Sequence, residues 1–310
     1  MSELRTIENA IALANRRWPG LEFFRKNSHE ASSSCPLCNQ ATEDGFLIFD
    51  DLGFWCRKCG QSGRLENRDP NHRLTPEELT EIRLKRLERE QDEQDSRISA
   101  LERIAHCHDH ERYHDNAIND TEAMEWFISQ GLQPWAVFDF KLGKCARCPT
   151  DREGRSSYTF PIWRKDGPLW SIRHRLQGAT NGDKYRPHMK NLGTQLVNAR
   201  LLADWSEQVI VVEGCKKARV IQQYDFPVVG ILGKSGFEMR WLNWFHPAAT
   251  VYIGLDPDAT ENAERLGAGI AKTGKETYVI DWPYKPDDML VEGCTPDEWM
   301  HYVKQARRVH

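Results

Sequence analysis

Two sets of residues in this 310-residue chain have the types and spacing to do chemistry. The first is a set of carboxylates. Glu213 follows the apolar run Val209 to Val212, Asp256 and Asp258 follow a run ending at Leu255, and Asp287 and Asp288 follow a run at 276–280. Carboxylates gathered at one place repel one another unless cations sit among them. Hard divalent ions with oxygen ligands are the natural occupants, and Mg²⁺ takes one or two carboxylates together with substrate phosphates. The second set is sulfur. Cys35 and Cys38, then Cys56 and Cys59, give Cys-x2-Cys-x17-Cys-x2-Cys, the spacing of a four-cysteine zinc ribbon. Four thiolates at that spacing suit one tetrahedral zinc ion.

These residues need elements to hold them. Four β-branched runs, at 209–212, 228–232, 250–255 and 276–280, alternate with helix-compatible segments. That rhythm predicts a small parallel α/β sheet. In such a sheet the carboxyl ends of the strands line the crevice where ligands sit, so acids distant in sequence converge. Gly214 keeps the strand end open to a phosphate, and Pro257 stiffens the turn between the two aspartates. Asp258 taken alone reads equally well as a helix N-cap. Between the cysteine pairs, Phe46–Phe49 and Gly53–Cys56 read as a hairpin closed by Asp50-Asp51. A structural zinc contributes about 10–16 kcal/mol to folding a module of this kind, which has too little core to stand without it. Of Phe46, Phe49, Phe54 and Trp55, half are expected in the core; the others are free to stack on bases.

The rest of the chain reads as support. An amphipathic helix over 6–18 is stopped by Pro19-Gly20. Residues 60–74 form a polar linker. Thr75, Pro76 and Glu78 then give an N-cap, a first-turn proline and a capping-box acid for a charged helix reaching about 105. His106, Cys107, His108, His110 and His114 raise a metal hypothesis, with i, i+4 spacing at His106/His110 and His110/His114, against a reading as surface histidines of a helix. Cys145 and Cys148 form a third Cys-x2-Cys that supplies only two of the four ligands zinc wants; Cys107 and the nearby histidines are the candidates to complete it. Residues 121–145 predict helix, Gly131 stop, helix and short strand. A hairpin follows at 156–176 around Lys165-Asp166-Gly167. Its alternation puts Arg173 and Arg175 on one face and His174 on the other.

Composition sets limits. The chain is 39% hydrophobic and 28% charged, with a mean hydropathy of −0.67. No apolar run approaches the roughly 20 residues that span a bilayer, and the N-terminus lacks the pattern of a signal peptide. Nine cysteines, four of them in paired metal spacing, fit a reducing cytoplasm and not a disulfide framework. The net charge of −4 hides an asymmetry: residues 141–200 carry 13 Lys and Arg against 4 Asp and Glu, a local +9 that leaves −13 elsewhere. A basic block beside an acidic one suits a polyanion held against bound cations.

Residues 209–288 resemble a Toprim domain, the module shared by primases, topoisomerases and some nucleases. In that family a Glu closes the first strand, Asp-x-Asp follows the third, and a further acid lies downstream. Here these are Glu213, Asp256 with Asp258, and Asp287 or Asp288. The segments ahead of it sharpen the likeness. The helical Gly131-Leu132 element, the Phe160-Pro161-Ile162 strand pair and the Lys184-Tyr185 segment, preceded by the zinc ribbon, resemble bacterial and phage replicative primases over 35–60 and 121–290. Departures exist. The zinc motif is all cysteine, Cys215, Lys216 and Lys217 stand where the family often has an aromatic and an acid, and little follows Asp288. No Gly-x4-Gly-Lys-Ser/Thr helicase loop occurs; Leu232–Gly236 lacks the upstream glycine.

The resemblance implies a multidomain α+β and α/β fold. It comprises a zinc-ribbon domain with an N-terminal helix (1–66), a charged helical linker (67–120), a mixed α+β basic subdomain (121–204), a Toprim-type parallel sheet (205–292) and a C-terminal helix (293–310). It further implies template-directed synthesis of short RNA primers on single-stranded DNA, with one structural Zn²⁺ and catalytic Mg²⁺ or Mn²⁺. Glu213, Asp256 and Asp258 would be catalytic, and Asp256, Asp258, Asp287 and Asp288 would hold magnesium. Arg173, Arg175, Lys184, Arg186, Lys216 and Lys217 would grip template or ribonucleoside triphosphate, and Arg57 and Lys58 would read the template at the ribbon. A separate replicative helicase is the expected partner, in a phage or mobile-element setting. The competing readings are a Toprim nuclease and a non-catalytic zinc-ribbon module that binds single-stranded DNA. A topoisomerase is disfavoured, since 310 residues leave no room for a strand-gating domain.

Overall fold

The structure is a computed structural model. It describes residues 6–38, 45–65, 76–179, 184–203, 207–234, 236–245 and 248–309, with the side chains of 76–79, 81 and 239 left aside. The expected Thr75 cap and most of the polar linker lie outside the described residues. The chain divides into two compact units, Met1–Gln94 and Asp95–His310.

In the first unit, helix α1 (Ile7–Arg17) begins at Thr6, whose hydroxyl accepts the Asn9 N–H at 3.3 Å. Ile7, Ala10 and Ala14 recur along one helical face and are buried. The sheet is antiparallel and follows chain order: β1 (Phe24–Arg25), β2 (Glu30–Ser33), β3 (Phe46–Phe49), β4 (Gly53–Cys56) and β5 (Ser62–Arg64). The hairpin β3–β4 has the expected bounds. The strands β1, β2 and β5 carry two to four mostly polar residues, too few to print a period of two. Phe46 and Phe54 are core, each met edge-on by Trp18 at 5.2 and 5.4 Å, while Trp55 is exposed. Asp50, at the hairpin turn, is buried and pairs with His29 at 2.7 Å and with Arg89 of α2 (Pro76–Ala105).

In the second unit, Ala100 and Ile104 of α2 are buried with Leu192. Then come α3 (Asp109–Ile118), α4 (Thr121–Ser129) and α5 (Pro134–Asp139). The four-stranded antiparallel sheet β6 (Gly143–Cys145), β7 (Ser157–Trp163), β8 (Leu169–Leu176) and β9 (Tyr185–Pro187) follows chain order. The other sheet has the order β11-β10-β12-β13-β14. Strands β10 (Gln208–Glu213), β11 (Val228–Ile231), β12 (Thr250–Gly254) and β13 (Glu276–Val279) run parallel, joined by α6 (Cys215–Gln222) between β10 and β11 and α7 (Thr260–Ala271) between β12 and β13. After α8 (Pro286–Val291) and α9 (Pro296–Lys304), β14 (Arg307–Arg308) adds an antiparallel edge that the sequence did not announce.

Strand β10 shows why its sequence is apolar throughout. Ile210 and Val212 enter one core, together with Phe127, Phe160 and Ile162 of the preceding segment. Val209 and Val211 enter the other, with Val251, Ile253, Trp241 and Phe245. A central parallel strand is covered on both faces, so it reads as a continuous hydrophobic run.

Candidate active site and metal centre

Because β10, β11, β12 and β13 are parallel, their carboxyl ends share one edge. Glu213 ends β10 opposite Ile231 in β11, and Val212 stands opposite Gly254, two residues before Asp256. Asp287 and Asp288 open α8. The turn from Glu213 into α6 passes through Gly214 at φ 94° and ψ 154°, a region open only to glycine. The expected reason for this glycine was room for a phosphate; the backbone conformation already demands it.

The acids do not meet bare. Lys217 of α6, nearly buried, pairs with Asp256 and lies 3.8 Å from Asp287 Oδ1. Lys216 Nζ lies 2.7 Å from Asp287 Oδ2 and 3.9 Å from Asp288 Oδ1. Lys234, just past β11, stands 3.8 Å from Asp258. The lysines expected to contact a ligand, Lys216 and Lys217, thus stand among the acids. Among the described residues, no three of these carboxylates come within 4.8 Å of one another. Burial and then the Asp256 charge raise the Glu213 carboxyl above its ordinary value. Asp287 feels the same burial, but Lys216 and Lys217 outweigh it and hold its carboxyl low. Its Oδ1 is buried with no hydrogen-bond partner. Oxygen donors with an orphaned carboxylate atom fit a hard divalent cation, which takes such ligands. Asp258 remains exposed, and α7 has no side-chain cap, so the N-cap reading of Asp258 does not hold.

The basic strand stands close by. Arg173 and Arg175 alternate with the fully buried His174, as expected. Arg175 lies over Trp126 at 5.2 Å and over Tyr185 at 5.9 Å, and Trp126 stacks on Tyr158 at 3.6 Å. Burial pulls the Arg173 guanidinium below its usual value, and Cys215 at the start of α6 is its neighbour. Arg173 thus lies beside the start of α6, the helix that follows Glu213. Arg186 pairs in register with His174, so it takes the opposite face, where its charge adds to the Arg155 hydrogen bonds that hold Asp151 low. Lys184 is exposed just before β9. The four cations are not one surface.

Two partners escaped the sequence reading. Lys234 sits at a strand end, where the rule applied to the acids would have found it. Tyr185 is partly buried beneath Arg175, and no periodic signal marks a three-residue strand.

In the ribbon, Cys35, Cys38, Cys56 and Cys59 place their sulfur atoms within 4.8 Å of one another. Cys38 Sγ and Cys56 Sγ are 3.9 Å apart, against about 3.8 Å for two corners of a tetrahedron with Zn–S bonds of about 2.3 Å. Backbone N–H groups of Leu37 and Lys58 point at Cys35 and Cys56 sulfur, both at 3.4 Å. Burial pushes the Cys35 thiol up to about 12. Burial also acts on Cys56, but the N–H groups of Cys59 and Lys58 bring its thiol down to about 7. The donor set fits zinc. Arg57 and Lys58 are exposed in the second knuckle, with Arg57 4.0 Å from Glu30.

No family model matches the sequence, and a search of curated proteins finds no match. Solved structures do match. The zinc-binding and RNA polymerase domains of the Aquifex aeolicus primase align over 100% of this chain and 87% of their own, with TM-score 0.55 and 16% identity. The fold is that of bacterial primases. The E. coli primase catalytic core aligns over 64% of this chain and 78% of its own (TM-score 0.54, 18% identity). A DnaG primase catalytic domain bound to ssDNA aligns over 70% and 80% (TM-score 0.54, 17% identity).

Proposed function

We propose that this chain is a DNA primase that joins ribonucleotides on single-stranded DNA. The observation that carries the reading is the acid edge of Glu213, Asp256 and Asp287 beside the Arg173 and Arg175 face, within the fold of primase catalytic cores. In this reaction a 3′-hydroxyl attacks an α-phosphate and pyrophosphate leaves, so positioning and charge stabilisation dominate. Asp256, Asp258, Asp287 and Asp288 would hold magnesium or manganese, which supplies neutralising charge to triphosphate oxygens. Glu213, with its raised proton affinity, is suited to take the hydroxyl proton. Lys216 and Lys217 keep Asp287 ionised and stand ready for phosphate oxygens. Arg173 and Arg175 grip phosphates, and Trp126 with Tyr158 backs Arg175. The ribbon, with Arg57 and Lys58, reads the template, and a separate helicase supplies it.

The test is primer synthesis. Purified protein would be given mixed-sequence single-stranded DNA, labelled ribonucleotides and Mg²⁺, beside Asp256→Asn. Short labelled products that vanish in the variant are expected. Template cleavage that depends on Asp256 would make the chain a nuclease. Binding without either activity, with or without a helicase, would make it an accessory module.

A further inference from the structure

A second group of metal-ligating atoms lies in the second unit, away from the acid edge. The short connection between α2 and α3 presents Cys107, Asp109 opens α3, and His188 follows β9. Cys107 Sγ lies 3.7 Å from His188 Nε2, Asp109 Oδ2 lies 3.2 Å from that same nitrogen, and all three ligand atoms fall within 4.8 Å of one another. A tetrahedral ion with Zn–S of about 2.3 Å and Zn–N and Zn–O of about 2.0–2.1 Å separates its S and N ligands by about 3.6 Å and its N and O ligands by about 3.3 Å. We propose that Cys107, Asp109 and His188 form a second zinc site, with a water molecule in the fourth position.

The surroundings are those of a ligand set. His188 is buried and its Nδ1 lies 3.0 Å from His174 Nε2. His174 is fully buried in turn, with Nδ1 2.9 Å from Ser157 Oγ. This relay fixes the ring and lets Nε2 shed its proton: Nδ1–H of His188 then donates to His174, and Nδ1–H of His174 to Ser157. A second residue that orients the ligating imidazole is the usual companion of a metal-bound histidine. Arg112 holds Asp109 Oδ1 at 2.6 Å, which leaves Oδ2 to face the histidine. The thiolate and the carboxylate together balance the charge of one divalent ion, and the soft sulfur selects zinc over magnesium.

Cys145 and Cys148 take no part. Cys145 bonds the Arg147 carbonyl at 3.0 Å, and Cys148 lies 3.7 Å from the Thr150 hydroxyl. The reading that joined them to Cys107 is replaced by one in which Cys107 turns to His188. Such an ion would tie together residues 81 positions apart, clipping the α2–α3 connection to the end of the basic sheet.

Zinc content of the full chain decides the matter, after loading with zinc and removal of loosely held metal. Two equivalents per chain are expected. Cys107→Ser and Asp109→Asn should each bring the count to one with circular dichroism unchanged, and Cys56→Ser should remove the other equivalent. With cobalt in place of zinc, Cys107→Ser should lose a charge-transfer band of single-thiolate strength, leaving the four-thiolate spectrum intact. His188→Gln, which also disturbs the buried relay, serves as confirmation. One equivalent in the wild type, or a second equivalent that survives Cys107→Ser, would overturn the proposal.

Discussion

Glu213 and Lys217 stand at opposite ends of one electrostatic balance. The Glu213 carboxyl holds its proton more tightly in the folded chain than in the unfolded one, because burial and the Asp256 charge oppose ionisation. Its ionised form therefore costs stability at neutral pH, and that cost vanishes below the unfolded value near 4.5. Glu213→Gln should raise the melting temperature at pH 7 while abolishing primer synthesis; a lower melting temperature would remove the assigned cost. Asp287 has the reverse sign. Its folded value is held low, so its pairing stabilises above the unfolded value near 3.8 and fades as pH falls through the folded one. Lys217→Met leaves Asp256 and Asp287 short of a buried partner and should cost about 3 kcal/mol at pH 7. Urea titrations should show that loss shrinking as pH falls toward 3. The acids were legible in the sequence because strand ends mark them. Their pairing with α6 was not, because Lys216 and Lys217 look like any solvated cations until the helix is laid back on the sheet.

At the scale of elements, two turns can be tested. Gly214 adopts a conformation that other residues reach only with strain, so Gly214→Ala should cost about 1–3 kcal/mol although a Cβ there meets nothing within 4 Å. Chemical denaturation reads this directly, and an unchanged midpoint would contradict it. The knuckles of the ribbon carry the other test. Cys56→Ser should release the ribbon's zinc and open the first unit to protease, while the second unit keeps its circular dichroism. Long apolar or alternating runs, such as β3, β7, β8, β10 and β12, were readable because their burial imposes a period. The strands β1, β5, β9 and β14 are two or three residues long; tertiary contacts, not local pattern, make them strands. His114 taught the same lesson. It read as a surface histidine but is buried, with Nδ1 bonded to the Leu142 carbonyl at 2.8 Å.

At the scale of the whole molecule, sequence composition separated a basic block from an acidic one but could not say how firmly they are joined. Phe127, Phe160 and Ile162 share a core with Ile210, Val212 and Ala218. Two side chains, one on α6 and one at its C-cap, fasten it further. Buried Arg219 donates to the Pro161 carbonyl of β7 at 3.3 Å and lies over Phe140 at 4.8 Å. Gln223 donates to the Gly131 carbonyl at 2.6 Å and accepts the Gln133 N–H at 2.8 Å. Among the described residues, the two sheets of this unit therefore share one continuous core. Amide hydrogen exchange should find β7, β8, β10 and β12 opening together, at a single free energy. For the primase proposed above, a polymer drawn past the acid edge would then slide over a surface packed as one piece, nucleotide by nucleotide, with the stride set by the strand.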